Sequence, residues 1–194
     1  MIAHLEPLPP EFYNRSTLDV AHDLPGHILF HHTKDGMVAG RIVEVEAYGP
    51  DDPANHAYKG KTFRNAAMFG PPGTAYIYKI YGIYWCFNAV TAPTNVGEAV
   101  LIRALEPVEG LEIMRSNRKG VNERLLCSGP GRLCQAMGIV GSANGHTLNT
   151  EPLWIGGESL SNREIIMKPR IGISRAIDLE WRFYLANSPY ISRK

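Results

Sequence analysis

The chain is short of cysteine, of charge of one sign and of long apolar runs, and each shortage closes off a class of protein. Three cysteines, Cys86, Cys127 and Cys134, are too few and too unevenly spaced for a disulfide framework, and no Cys-x-x-Cys pair offers zinc spacing. Reduced thiols are expected, with no structural metal and no cofactor. No apolar stretch approaches the roughly 20 residues of a membrane span. Where a secretion signal would place a basic segment before an apolar one, this chain has Glu6 and Glu11 among several prolines, and a cytoplasmic location is expected. The formal net charge of +1 lacks the basic excess of many nucleic-acid binders, so any surface of that kind must be local. Repeats, heptads and low-complexity segments are missing too.

What is present is enough for a sizeable core: 194 residues, 44% of them hydrophobic, read as one domain over residues 1–194. Ser16-Thr17-Leu18-Asp19 has capping-box spacing ahead of a short helix that Pro25-Gly26 would end. Residues 27–30 and 37–48 read as strands joined by a turn at Lys34-Asp35-Gly36. Residues 50–73 form a long connection rich in glycine and proline, and long ordered loops tend to carry function. Residues 99–105 read as a strand, Pro107 as the opening of a helix through Leu111, Ile113 and Met114, and Ser128-Gly129-Pro130 as the start of a second helix ending at Gly138. Short strands follow at 153–155 and 164–167, then a closing run at 181–184. The fold class expected is α+β, with helices and strands mixed around an antiparallel sheet.

The densest signal lies between Thr74 and Val90, which reads Thr-Ala-Tyr-Ile-Tyr-Lys-Ile-Tyr-Gly-Ile-Tyr-Trp-Cys-Phe-Asn-Ala-Val. Two strand-like runs meet at Tyr81-Gly82, so Tyr81 falls at a hairpin turn, where a large aromatic points into solvent. Period 2 puts Tyr76, Tyr78 and Ile80 on one face and Ile77 and Lys79 on the other; in the second run Tyr84, Cys86 and Asn88 oppose Trp85 and Phe87. Such aromatic density suits a planar ligand, and a nucleobase is inferred; a well-packed hairpin with one stray surface tyrosine fits the same pattern. Arg41 to Tyr48 alternates, setting Val43, Val45 and Ala47 on one face and Glu44, Glu46 and Tyr48 on the other, a pattern that on periodicity alone turns both glutamates to water. With His56 from the neighbouring loop, Glu46 and Tyr48 could place a carboxylate beside two flat rings. Asn88 and Arg103 are polar residues in apolar strands, where burial without partners costs roughly 1 to 3 kcal/mol each, so they belong to networks or to a polar-edged pocket.

The segments Arg41 to Tyr48, Asn55-His56-Ala57, Arg64-Asn65, Met68-Phe69, Gly73-Thr74, Tyr76-Ile77-Tyr78, Tyr81-Gly82, Cys86-Phe87-Asn88, Leu101 to Pro107, Cys127 to Ala136 and Arg182-Phe183-Tyr184 with Ser188-Pro189 together resemble the alkyladenine (3-methyladenine) DNA glycosylases, in order and over nearly the whole chain. The likeness is to the compact bacterial form; Asp23-Leu24-Pro25-Gly26 departs from the family's usual Leu-Leu-Gly. The resemblance implies a curved antiparallel sheet with a protruding hairpin that intercalates into DNA. Its activity would be hydrolysis of the bond between a damaged purine and deoxyribose after the nucleotide has been flipped out of duplex DNA. By the same resemblance Glu46 is the general base, Arg103 helps to place water and nucleotide, and Tyr81 fills the hole left in the stack. Tyr78 on one side and Tyr48 with His56 on the other would sandwich the base, and Asn88 would crowd the 2-amino group of normal guanine. Arg64, Gly131, Arg132 and Arg182 are candidates for backbone contacts, with Gly131 and Arg132 at a helix start. The implied partner is double-stranded DNA carrying alkylated or deaminated purines, bound by a monomer of bacterial, nucleoid-associated location. The product would be an abasic site without strand cleavage. Two other classes remain open on the residues alone: a non-catalytic module that binds damaged DNA, and a small-molecule nucleosidase or glycosidase using Glu46 and Glu44.

Overall fold

A computed structural model describes residues 5–157 and 162–193. Among the described residues four α-helices, α1 (Pro10–Tyr13), α2 (Thr17–Asp23), α3 (Leu111–Arg118) and α4 (Pro130–Met137), pack on one antiparallel sheet. Its strands are β1 (Ile28–Thr33), β2 (Gly36–Tyr48), β3 (Ala75–Ile80), β4 (Tyr84–Thr91), β5 (Glu98–Glu109), β6 (Asn149–Thr150), β7 (Leu153–Gly156), β8 (Ile165–Lys168) and β9 (Arg182–Leu185). The order β3-β4-β5-β2-β1-β7-β6 makes one continuous path; β9 joins it at β2, and β8 pairs with β9. The α+β class and the antiparallel sheet agree with the expectation.

β2 organises the site. It pairs with β1 up to Arg41, with β5 from Ala39 to Tyr48, and with β9 at Glu44 to Glu46. Register shifts against β5 fall between Ile42 and Val45, and bulges of this kind bend a strand and re-aim its side chains. The simple alternation is corrected accordingly. Ile42, Val45 and Ala47 enter the main core, whereas Val43 joins a separate cluster with Ala104 and Leu185. The glutamates do not face water either: Glu44 and Glu46 are fully buried, because β9 and the segments on either side of it cover that stretch of β2.

Two further expectations change. The strand β5 runs on through Pro107, which pairs with Gly40 at a bulge, so α3 starts at Leu111 after Gly110 breaks the strand with φ of 74°. Ser16 precedes α2 but makes no side-chain capping bond; the hydroxyl of Thr17 turns inward to Thr91 and Glu98 instead. The second helix is as read, Pro130 to Met137 with Gly138 closing it. An isolated bridge between Ala104 and Ser128, and the Leu105 N–H donated to the Cys127 carbonyl, fix the start of α4 against β5. Gly131 lets that helix lie on the hairpin, since a Cβ there would sit 3.0 Å from Tyr84 Cβ. Among the described residues no helix is long and apolar enough to cross a membrane.

Candidate active site

The β3–β4 hairpin folds as its period predicts. Tyr76 pairs with Asn88, Tyr78 with Cys86 and Ile80 with Tyr84, so all six share one face, and all six line a cleft of about 960 Å³. The opposite face sends Ile77 and Phe87 into the core, while Lys79 lies over the Trp85 ring at 5.0 Å. At the tip Tyr81 and Gly82 both have positive φ, 52° and 71°, and the Ile83 N–H donates to the Ile80 carbonyl, which holds the turn tight. Tyr81 is 82% exposed.

The cleft has an aromatic wall. Tyr76 and Tyr78 stack with ring centres 5.3 Å apart, and the His56 ring meets Tyr78 edge-on at 4.5 Å. His56 Nδ1 shares a hydrogen bond of 3.0 Å with the Tyr76 hydroxyl, so His56 groups with this wall and not with Tyr48 as expected. Burial, helped by the nearby Arg64 charge, holds its imidazole below the ordinary value and favours the neutral ring. Burial likewise pushes the Tyr78 phenol up, and that of Tyr76 to about 12, so the wall stays uncharged. Asn88 is buried in the cleft lining and donates to the Tyr76 carbonyl at 2.9 Å, leaving its side-chain oxygen for a ligand or water.

Beneath the floor formed by Tyr48, Arg103 and Ile171 lies a buried ionic network. Glu46 Oε1 accepts from the Ile171 N–H at 2.7 Å; Oε2 accepts from the Tyr48 hydroxyl at 3.0 Å and pairs with Arg103 Nη1 at 3.2 Å. Glu44 takes Arg103 Nε at 3.3 Å, Arg182 Nη1 at 3.1 Å and both the N–H and the hydroxyl of Ser192. Two carboxylates thus balance two guanidiniums. Burial works against the Arg103 charge, but Glu46 and Glu44 beside it raise its pKa above the ordinary arginine value. Burial and then the Glu46 charge push the Tyr48 phenol up, which keeps its proton on the bond to Glu46.

The arginines divide. Arg182 is buried and spent on Glu44 and on the carbonyls of Pro169 and Arg193, so a surface contact gives way to an ion-pair role. Arg64 is exposed, donates to the Lys79 carbonyl and lies 5.9 Å over Tyr78. Arg132 is exposed at the start of α4, its guanidinium turned back to Ser128. Arg118, Arg175 and Arg193, none of them singled out from the sequence, join Arg132 at the cleft. The sequence reading also missed Ile171 and Ser192, whose contribution is partly backbone and carries no residue signature, and Phe63, which stands fully exposed between Lys61 and Arg64. No group of three or more His, Cys, Asp or Glu suited to a metal occurs among the described residues.

An aromatic cleft closing on a buried carboxylate, beside a hairpin tipped by an exposed tyrosine, has the layout of a glycosylase acting on nucleic acid. A family model described as methylpurine-DNA glycosylase matches residues 11–189. Relatives described as candidate 3-methyladenine DNA glycosylases occur in Nitrosospira multiformis (50% identical, covering 93% of this chain and 91% of the relative) and Methanoculleus marisnigri (50%, covering 96% and 99%). Another, from Carboxydothermus hydrogenoformans, is 49% identical over 96% of this chain and 99% of its own length. The chain belongs to the methylpurine-DNA glycosylase family, and is a DNA glycosylase of base-excision repair.

Proposed function

We propose that this enzyme flips alkylated or deaminated purines out of duplex DNA and releases them by attack of a Glu46-activated water on C1′. The observation that carries the reading is the Glu46 carboxylate, fully buried yet held at both oxygens by Ile171, Tyr48 and Arg103 directly under an aromatic cleft. Four groups of residues have separate tasks. Tyr81 enters the stack as the target leaves; unstacking costs a few kcal/mol, which a flat ring recovers in part. Tyr78, His56 and Tyr48 surround the extruded base, and neutral aromatic faces favour a cationic purine by roughly 0.5 to 2 kcal/mol per contact. Asn88 crowds the 2-amino group of guanine. Arg64, beside Tyr78, and Arg132 with the helix start at Gly131 take backbone phosphates, local cations on a nearly neutral protein.

The chemistry follows from charge. As the bond between base nitrogen and C1′ lengthens, its electron pair leaves with the base and the sugar gains cationic character, which the nearby carboxylate stabilises. A water admitted between Tyr48, Arg103 and Ile171 attacks C1′ and gives a proton to Glu46. Arg103 holds that carboxylate from the side opposite its Ile171 contact. Glu44 is engaged by two arginines and Ser192. No lysine lines the cleft among the described residues, which supports water as nucleophile in place of an amine. The candidate substrates are 3-methyladenine, 7-methylguanine, hypoxanthine and ethenoadenine.

Product analysis tests this. Incubated with a duplex carrying one such lesion, the enzyme should release the free base and leave an intact strand that breaks only on alkali treatment. Strand breakage without alkali, or a trapped covalent adduct after borohydride, would refute the water mechanism.

A further inference from the structure

Behind Tyr48, on the side away from the cleft, lies a second buried ion pair. Arg170 and Asp52 are both buried with no exposed side-chain surface; Nη2 donates to Oδ1 at 2.9 Å and Nη1 to Oδ2, the two-pronged contact that fixes a guanidinium plane. Nη1 also donates to the Ala47 carbonyl at 2.8 Å, the residue between Glu46 and Tyr48. The guanidinium lies against two rings, 4.7 Å from the centre of Tyr48 and 5.2 Å from that of Trp181. Arg170 Nε is buried without a partner. A buried ion pair is weak evidence for stability, and fixing the position of its neighbours is another use for it.

What depends on it here is Glu46. The Tyr48 ring stacked on Arg170 donates its hydroxyl to Oε2, and the residue following Arg170 supplies the Ile171 N–H that holds Oε1. One ion pair therefore bears on two of the three supports of the carboxylate, one through a ring and one through the backbone, while Arg103 is the third. Asp52 ties the same unit to the loop carrying His56, since its Oδ1 accepts the Ala54 N–H at 2.9 Å.

We propose that Arg170, clamped by Asp52, is a positioning residue for base excision: it sets the direction of both Glu46 oxygens while touching neither substrate nor the carboxylate. The assignment rests on the reading of Glu46 as proton acceptor. Misplacement of a reacting group by about 1 Å costs on the order of 100-fold in rate, so Arg170→Met should slow single-turnover base release by roughly 10- to 100-fold. Affinity for a lesion duplex should stay within about threefold, because Arg170 does not line the cleft.

The experiment measures single-turnover release and lesion-duplex binding for wild type, Glu46→Gln, Arg170→Met, Arg170→Lys, Tyr48→Phe and the Arg170→Met/Tyr48→Phe pair. Amplitudes report the folded fraction and rate constants report the chemistry, so a loss of folding is read separately. Arg170→Lys, which keeps the charge but loses the fork and the flat stacking, should fall between wild type and Arg170→Met, and it stands in should Arg170→Met not fold. The pair should lose less than the product of the single losses, because both act partly through the Tyr48 hydroxyl. With Glu46→Gln inactive, a wild-type rate constant in both Arg170 variants, or a fully multiplicative pair, overturns the positioning role alone. Wild-type release by Glu46→Gln would instead retire the reading of Glu46, and the proposal with it.

Discussion

Glu44→Gln is the perturbation that separates the scaffold from the chemistry. The wild-type network sets Glu44 and Glu46 against Arg103 and Arg182, all four buried, and Glu44 alone accepts from Arg103 Nε, Arg182 Nη1 and Ser192. The amide removes one negative charge and turns a donor toward groups that are themselves donors. Two guanidiniums are then left with the single carboxylate of Glu46. Breaking a buried pair from one side costs about 3 to 5 kcal/mol. Arg182 keeps the carbonyls of Pro169 and Arg193 at 3.0 Å each, which places the loss toward the lower figure. Against a total stability of about 5 to 15 kcal/mol this is large but survivable. Urea unfolding followed by tryptophan fluorescence and circular dichroism gives the number, with single-turnover release measured on the folded fraction. The result expected is a loss of about 3 kcal/mol with base release retained. A loss below about 1 kcal/mol would mean that the network is solvated and that the buried-pair reasoning is wrong.

Tyr81→Ser should leave stability within about 0.5 kcal/mol, given the exposed site, while strongly reducing excision from duplex relative to single-stranded DNA; equal loss on both would remove the intercalation role. Arg64→Ala and Arg132→Ala should each flatten the dependence of log affinity on log salt by about one, which titrations at several salt concentrations detect. Asn88→Ala should raise release of normal guanine relative to 7-methylguanine, measured on paired duplexes. Burial first lowers the pKa of His27, His31 and His56 from 6.5, so the unfolded chain binds protons that the folded protein refuses. Stability is then full above the unfolded value of about 6.5 and falls as pH drops through it toward the depressed folded values. Unfolding free energy at pH 7 should exceed that at pH 5.5, and His31→Asn should narrow the gap.

Local patterns were legible and long-range cover was not. The hairpin could be read residue by residue because its period, its turn and its cleft face all lie within residues 75–91, and Tyr76, Tyr78, Cys86 and Asn88 stand where alternation puts them. The same rule misjudged β2, because the strand that buries Glu44 and Glu46 comes from residues 182–185, and a bulge beside Val43 breaks the period. Pro107 reads as a helix start by local statistics, yet its place opposite Gly40 at a ladder irregularity lets it remain in a strand. Alternation put Glu46 and Tyr48 on one face and marked Arg103 as a polar residue in an apolar strand, whereas their roles came from family resemblance and nothing in the spacing announces that Arg103 meets Glu46. Asp52 and Arg170 are 118 positions apart and each is unremarkable alone. Arg182 looked like a surface cation for the same reason: its partner Glu44 lies 138 positions away.

Single-turnover release of free base, from one duplex carrying hypoxanthine and another carrying a methylated purine, bears most directly on Glu46. The account predicts release by wild type and binding without release by Glu46→Gln. Release by Glu46→Gln at the wild-type rate would contradict it, as would tight lesion binding by wild type with no base freed from either duplex.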